Sequence, residues 1–416
     1  MKPALAVVAL AAIAYLPSLA GVFHFDDYNV IVHYPTVHSW EALLERAGGG
    51  VRPLLKASYT LNWTLGGGFN LLNIAFHAMN AALLFFIAER LLGDRRAAFV
   101  AALLFALHPA ATEAVTYISG RSSSLMALFY LGALLAYLRA AHWSISASLF
   151  VLAVATRETA VTLPSALLLC ELCRRERPPW REIARRQWAH WTLLLAGGVF
   201  LLLNQRYFDL VAYGYGERDV ADNLLTQVGG ISYLILRLVS LHGYNIDPAL
   251  PTLTEWTPAL AFQASLLLSL LILGVANLRR RPWIGFGILW FFLQLVPTNS
   301  IVPRLDVAND RQLYLASWGL FLGLCIQLRN LPNFAFAGMV IIFAATSIAR
   351  QLDYRSEIVL WESSVALAPW NARAHNNLGY AYQLAGRTDD ARREYHSALL
   401  FDPHHQKTRF NLMFLK

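Results

Sequence analysis

Apolar runs of roughly 20 residues recur along the chain, each long enough to cross a hydrocarbon core of about 30 Å, with short polar or arginine-bearing stretches between them. The runs lack the alternation of barrel strands. Inside lipid a backbone must satisfy its own hydrogen bonds, so helices are expected. The first run covers 3–21, and a long polar-aromatic loop, 22–69, separates it from 70–92. The run at 97–108 stops at His108-Pro109, a helix-breaking pair. Next come 122–141, two runs split by Thr156-Arg157-Glu158-Thr159, and 189–204; four more lie at 259–278, 283–297, 312–328 and 333–349. That makes about eleven spans of an all-α, polytopic membrane protein. The apolar piece 225–241 is set apart as interfacial or re-entrant, with Arg237 facing protein or water.

Charge orders these runs. The segment 174–186 carries six arginines (Arg174, Arg175, Arg177, Arg181, Arg185 and Arg186), and such clusters stay cytoplasmic. Counting back, Arg139 and Arg95-Arg96 fall on the same side. The loops with Asp26-Asp27, His108–Arg121 and Arg157-Glu158 fall on the other. If 225–241 crossed, Arg279-Arg280-Arg281 would end up outside, which is why it is not counted. The N-terminus is then cytoplasmic and the C-terminus is not.

Composition agrees: 57% of the 416 residues are hydrophobic and 14% charged, against about 25% charged in soluble domains. The net charge of +8 reflects arginines at span ends, so no nucleic-acid partner is expected. Cys170 and Cys173 have metal-pair spacing but no matching His/Cys cluster. Lys2, the apolar run and Ser18-Leu19-Ala20 are also compatible with a cleavable signal peptide. A retained first span is preferred, because cleavage after Ala20 would untether the acidic loop.

The chain changes character beyond the last run, so 1–349 is expected to be the membrane domain and 350–416 a tail on the non-cytoplasmic side. Leu378, Gly379, Tyr382, Ala391, Tyr395, Ala398 and Pro403 fall at the spacing of a 34-residue tetratricopeptide repeat. Tyr354–Leu367 reads as the second helix of a preceding repeat, and Arg409–Leu412 opens another. About three repeats are usually needed for independent stability, so the tail is expected to lean on the membrane domain or a protein partner.

An acidic pair just beyond a span is poor anchoring material. Beside a lipid-bound substrate it is suited to taking a proton from an alcohol. Phe25-Asp26-Asp27, Arg52-Pro53 with Lys56 and Ser58, and His108-Pro109 followed by Thr112-Glu113-Ala114-Val115, Tyr117 and Gly120-Arg121 resemble a known family. So do Arg157-Glu158-Thr159, Leu295-Val296-Pro297-Thr298 and Asp310-Arg311 with Tyr314. These stretches are similar to those of the transmembrane and tetratricopeptide-repeat O-mannosyltransferases, of the GT-C class. The likeness covers nearly the whole chain and is most specific over 108–121. Phe25-Asp26-Asp27 also looks like the Asp-Glu pair of protein O-mannosyltransferases, with Asp27 replacing Glu. The tail holds about two repeats' worth where animal relatives carry many more, which suggests a prokaryotic relative in the inner membrane.

The resemblance implies transfer of a sugar from a polyprenyl-phosphate donor to Ser/Thr hydroxyls of exported proteins, on the extracytoplasmic face, with inversion. Asp26 is then the general base and Asp27 its partner. Arg52, Lys56, Arg121 and Arg311 are candidates for the phosphate cradle, because guanidinium groups suit a leaving phosphate. His108 and Glu113 would shape the sugar pocket or hold the first loop. No cofactor is expected. Enzymes of this class with monophosphate donors look metal-independent, although an acidic cluster can hold Mg²⁺.

Plainer readings stay open at several positions. Asp26-Asp27 can solvate a loop exit, His108-Pro109 can be a helix terminator, and Arg121 an interfacial anchor. Arg157 and Glu158 can be a structural ion pair. Arg304, Asp306, Asp310 and Arg311 can be a solvated turn, and Gly48-Gly49-Gly50 and Gly66-Gly67-Gly68 hinges. A lipid or cell-wall polymer is the alternative acceptor, and a membrane scaffold displaying repeats the alternative to an enzyme.

Overall fold

The computed structural model describes residues 2–46, 51–174, 176–203, 205, 209, 212, 214–216 and 218–415. The Gly48-Gly49-Gly50 hinge, Arg175 and much of the loop after the 189–204 run lie outside the described residues. Every regular element among the described residues is helical. With its long apolar helices, the chain is an all-α integral membrane protein.

Helices occupy all the apolar runs, but their lengths differ. Five are long and apolar enough to cross a membrane: Lys2–Ala20, Phe69–Leu92, Ile118–Leu138, Pro258–Arg280 and Asn333–Asp353. Arg95–Leu107 and Pro109–Thr116, bent by 55°, make a sixth if taken as one broken span. The expected eleven counted every run. Leu163–Leu172 has only 10 residues, a rise of about 15 Å, half a hydrocarbon core.

Local chemistry sets several boundaries. The Asp94 carboxylate accepts from the backbone N–H groups of Arg96 and Ala97 and so starts helix Arg95–Leu107. Pro109 ends it. This alanine-rich helix is the centre of the core. It packs on Lys2–Ala14, Phe69–Leu92, Leu313–Leu328 and Asn333–Asp353, its small side chains letting backbones approach. Helices Pro282–Leu295 and Leu313–Leu328 meet more closely still. A Cβ on Gly287 would sit 2.4 Å from the Gly319 carbonyl oxygen.

The bundle has two chemically distinct ends. At one, Arg329 pairs with Asp94, Arg186 holds Glu171 at 2.9 Å, and Arg90 reaches the Leu138 carbonyl at 3.4 Å. Helix Arg121–Leu138 has 18 residues, so its other end lies about 27 Å away. There the loops of 22–46, 108–121, 157–162 and 296–312 gather. Helix Val220–Ser240 has both ends tied to this second end. Asn223 donates to the Ser300 carbonyl at 2.6 Å, and the Leu238 carbonyl lies 3.1 Å from His108 Nε2.

The C-terminal helices Glu357–Leu367, Ala372–Leu384 and Thr388–Phe401 sit on that same end. Tyr117 and Ile246 share a buried cluster with Tyr354, Trp361, Leu378 and Tyr395. These helices therefore pack against the loops of the membrane domain.

Candidate active site

The loop bearing the acidic pair is fixed from three directions. Phe25 adopts a left-handed backbone, φ 42°, a conformation that costs a β-carbon-bearing residue about 1–3 kcal/mol. Its ring packs edge-on against Trp361 with centroids 5.5 Å apart. The Glu357 carboxylate accepts from the Phe25 N–H at 3.3 Å and lies 2.9 Å from His24 Nδ1. The Asp26 N–H donates to the Tyr117 hydroxyl at 2.9 Å.

These contacts send the two carboxylates opposite ways. Asp27 is fully buried and does not line the cavity. Its Oδ1 accepts from the Ser119 N–H at 2.7 Å and from the Ser119 hydroxyl; its Oδ2 accepts from the His24 N–H at 3.0 Å. Burial lifts its pKa to about 7, and the Ser119 and His24 hydrogen bonds limit the rise. Asp26 instead lines a cavity of about 680 Å³. Burial also raises the Asp26 pKa; Arg311 pulls it back, Asp306 pushes it up and Arg373 pulls it back again.

Cations gather in that cavity. Arg52, Lys56, Arg157, Arg304, Arg311 and Arg373 line it. Arg52, left-handed at φ 57° just before helix Pro53–Thr64, makes a two-point ion pair with Glu158 at 2.9 and 2.6 Å. Burial would lift the Glu158 carboxyl, but Arg52 overrides it and holds the group at about 2. Lys56 donates to the Tyr34 hydroxyl at 3.3 Å. Arg157 is 5% exposed and bonds the Ser122 and Ser123 hydroxyls, while its Nε has no partner. Burial and the neighbouring Arg52 lower its pKa to about 9. The Arg157–Glu158 ion pair is thus corrected: both side chains line the cavity, but Glu158 pairs with Arg52 while Arg157 bonds the Ser122 and Ser123 hydroxyls.

Three other sequence candidates lie behind the cavity wall. Arg121 is fully buried; it donates to Asn73 Oδ1 at 2.6 Å and to the Ser58 and Phe69 carbonyls at 3.0 and 2.9 Å. Its donors are spent on joining three elements, so it is a structural post rather than part of a phosphate cradle. His108 accepts from the Ala110 N–H at 3.2 Å through Nδ1, which caps the helix break. Glu113 is 2% exposed and accepts from the Arg311 N–H at 3.1 Å, with Arg311 Nε 3.5 Å away. It positions Arg311. The fold-back of 108–121 that allows this needs Gly120, where a Cβ would meet the Glu113 carbonyl oxygen at 2.2 Å.

Arg304 and Arg373 are cavity cations that sequence reasoning left out of the site, and Arg157, read there as half of a structural pair or a substrate contact, is a third. Arg304 was readable only as part of a polar turn, and Arg373 lies more than 300 residues from the acidic pair. At the cavity rim Val30, Val51, Val302 and Leu305 are both lining and exposed. The arrangement is a cationic interior with an apolar lip, in which Glu158 and Asp306 are paired with Arg52 and Arg373 and Asp26 is in none of the ion pairs among the described residues.

Comparison with known proteins points the same way. Residues 50–177 match the mannosyltransferase (PIG-V) family. A protein O-mannosyl-transferase of Caenorhabditis elegans is 24% identical over 97% of this chain and 63% of its own length. Human protein O-mannosyl-transferase TMTC4 is 24% identical over 90% of this chain, again 63% of its length. Drosophila melanogaster Tmtc1 is 35% identical over 42% of this chain and 23% of its own. The chain therefore spans less than two thirds of these relatives. Over nearly its whole length the chain is thus similar in sequence to protein O-mannosyl-transferases, at 24% identity.

Proposed function

We infer that the protein transfers a sugar, mannose by its relatives' names, from a polyprenyl-phosphate donor to Ser/Thr hydroxyls of exported proteins. The observation that carries this is the single cavity holding Asp26 among Arg52, Lys56, Arg157, Arg304 and Arg311. An amphipathic donor suits such a place. Its phosphate would lie among the arginines, and its chain would leave over Val30, Val51, Val302 and Leu305.

In the reaction the acceptor oxygen attacks the anomeric carbon, and the bond from that carbon to the phosphate oxygen breaks. Asp26 takes the hydroxyl proton as the new bond forms, a contribution of roughly 10²–10⁴-fold. The departing phosphate keeps its electron pair and needs cations rather than an acid. Arg311, held by Glu113, and Arg52, held by Glu158, supply them. The sugar carries positive charge in the transition state, which the nearby carboxylate stabilises. Asp27 is buried in its own hydrogen bonds, and the cavity's other carboxylates among the described residues, Glu158 and Asp306, are held by Arg52 and Arg373, which leaves Asp26 for a direct displacement. That supports inversion.

The arginine-rich opposite end supports an extracytoplasmic site. The test is purified, lipid-supplied protein given polyprenyl-phosphate mannose and a Ser/Thr peptide. Wild type is expected to mannosylate the peptide, and Asp26→Asn to lose roughly 10²–10⁴-fold. Full activity in Asp26→Asn overturns the assignment of the base. Mannose found only on lipid or polymer in supplemented membranes overturns the protein acceptor.

A further inference from the structure

Arg373 lies outside the motifs that carry the family likeness, on the first helix of the repeat-like pair, Ala372–Leu384. It nevertheless lines the same cavity as Asp26. Its guanidinium grips the buried Asp247 carboxylate at two points, 2.6 Å each, and reaches Asp306 Oδ1 at 2.8 Å. It also stands 5.9 Å over the Phe25 ring. One side chain therefore joins the tail, the 241–257 loop, the 296–312 loop and the acidic loop.

We propose that Arg373 is a positioning residue of the reaction, seating the C-terminal tail as a wall of the cavity and, with Asp306, setting the charge environment of Asp26. The proposal rests on Asp26 as the base. The groups around Asp26 are Arg311 and Asp306 from the 296–312 loop, Arg373 from the tail, and Tyr117, whose hydroxyl accepts from its N–H. Asp27 adjoins it in sequence, and Glu357 binds the N–H of Phe25.

The two charges act in opposite directions. Arg373 favours the ionised form of Asp26, and Asp306 favours the protonated form. In the intact pair they partly cancel. Removing Arg373 takes away a cation and leaves Asp306 uncompensated, so Asp26 should titrate higher. Removing Asp306 leaves Arg373 free to draw Asp26 lower. A tail clamp without electrostatic reach would change the amount of folded protein but neither titration.

The experiment uses full-length wild type, Arg373→Gln, Arg373→Lys and Asp306→Asn. Each is labelled with a carbodiimide, which reacts with protonated carboxyls, across a pH series. Tandem mass spectrometry separates Asp26 from Asp27. The expected midpoints are higher by about one pH unit for Arg373→Gln and lower by about one for Asp306→Asn. Arg373→Lys should stay near wild type. The acid limb of kcat for transfer from polyprenyl-phosphate mannose should move in the same two directions. Unmoved midpoints, or shifts of the same sign, overturn the proposal. Should Arg373→Gln not fold, Asp306→Asn and Arg373→Lys still decide it. A wild type that transfers no mannose sinks the glycosyltransferase reading, while the labelling midpoints continue to test this one.

Discussion

Arg52 meets Glu158 through two parallel hydrogen bonds, Nε to Oε2 at 2.9 Å and Nη2 to Oε1 at 2.6 Å. Fork-to-carboxylate geometry of this kind orients a guanidinium as well as neutralising it. Both groups are partly exposed to the cavity, so the pair holds Arg52 facing the place where an anion would sit. Lysine keeps the charge but not the fork. Arg52→Lys should therefore raise the KM for a polyprenyl-phosphate donor about tenfold with a smaller change in kcat. Steady-state kinetics with varied donor checks it.

Asp27 supplies a pH dependence of stability. Its pKa is raised from 3.8 to about 7 by burial, so the folded state binds the proton more tightly than the unfolded state. The stabilising contribution is full below the unfolded value and is lost as pH rises through about 7. Unfolding free energy should fall across that window by up to about 1.4 kcal/mol per pH unit. Melting temperatures in detergent should decline accordingly. Asp27→Asn should flatten the decline.

Arg121 separates structure from chemistry. Because its donors end on Asn73, Ser58 and Phe69, Arg121→Gln should act on folding. It leaves buried acceptors without partners, at about 1–3 kcal/mol each. Expression and melting temperature should drop, with the donor KM of the surviving folded fraction near wild type. A large KM effect in stable protein would return Arg121 to the phosphate site.

Gly120 is a packing requirement. A methyl group there would collide with the Glu113 carbonyl oxygen and push apart the two arms that carry Glu113 and Ser119. Gly120→Ala should lower melting temperature by several degrees, as an overpacking cost of about 1–3 kcal/mol implies. It should also reduce transfer activity by disturbing the seat of Arg311. Thermal unfolding and kcat, measured together, check both.

The architecture was largely legible because lipid leaves few choices. Long apolar runs become helices, and the arginine-rich segment sorts the loops onto two ends. The gathering of Asp26, Arg52, Lys56 and Arg311 in one cavity followed from that sorting. Partner choice did not. Sequence adjacency suggested Arg157 with Glu158, yet Glu158 pairs with Arg52 and Arg157 with the Ser122 and Ser123 hydroxyls. Arg121 and Arg311 look alike as motif arginines; only the packing around Asn73 and Glu113 tells a buried post from a cavity cation. Asp26 and Asp27 are likewise equal in the sequence, and Ser119 with the His24 N–H claims the second. Arg373 had no signal at all, because nothing in a repeat pattern marks which helix surface will face a distant loop.

The left-handed turn at Phe25, braced by Trp361 and Glu357, has an evolutionary corollary. Its conformational cost is met by groups on the far end of the polypeptide, so the acidic loop and the first tail helices can be exchanged between relatives only as a set. A hybrid that splits them would inherit an aspartate whose aim no longer has a support.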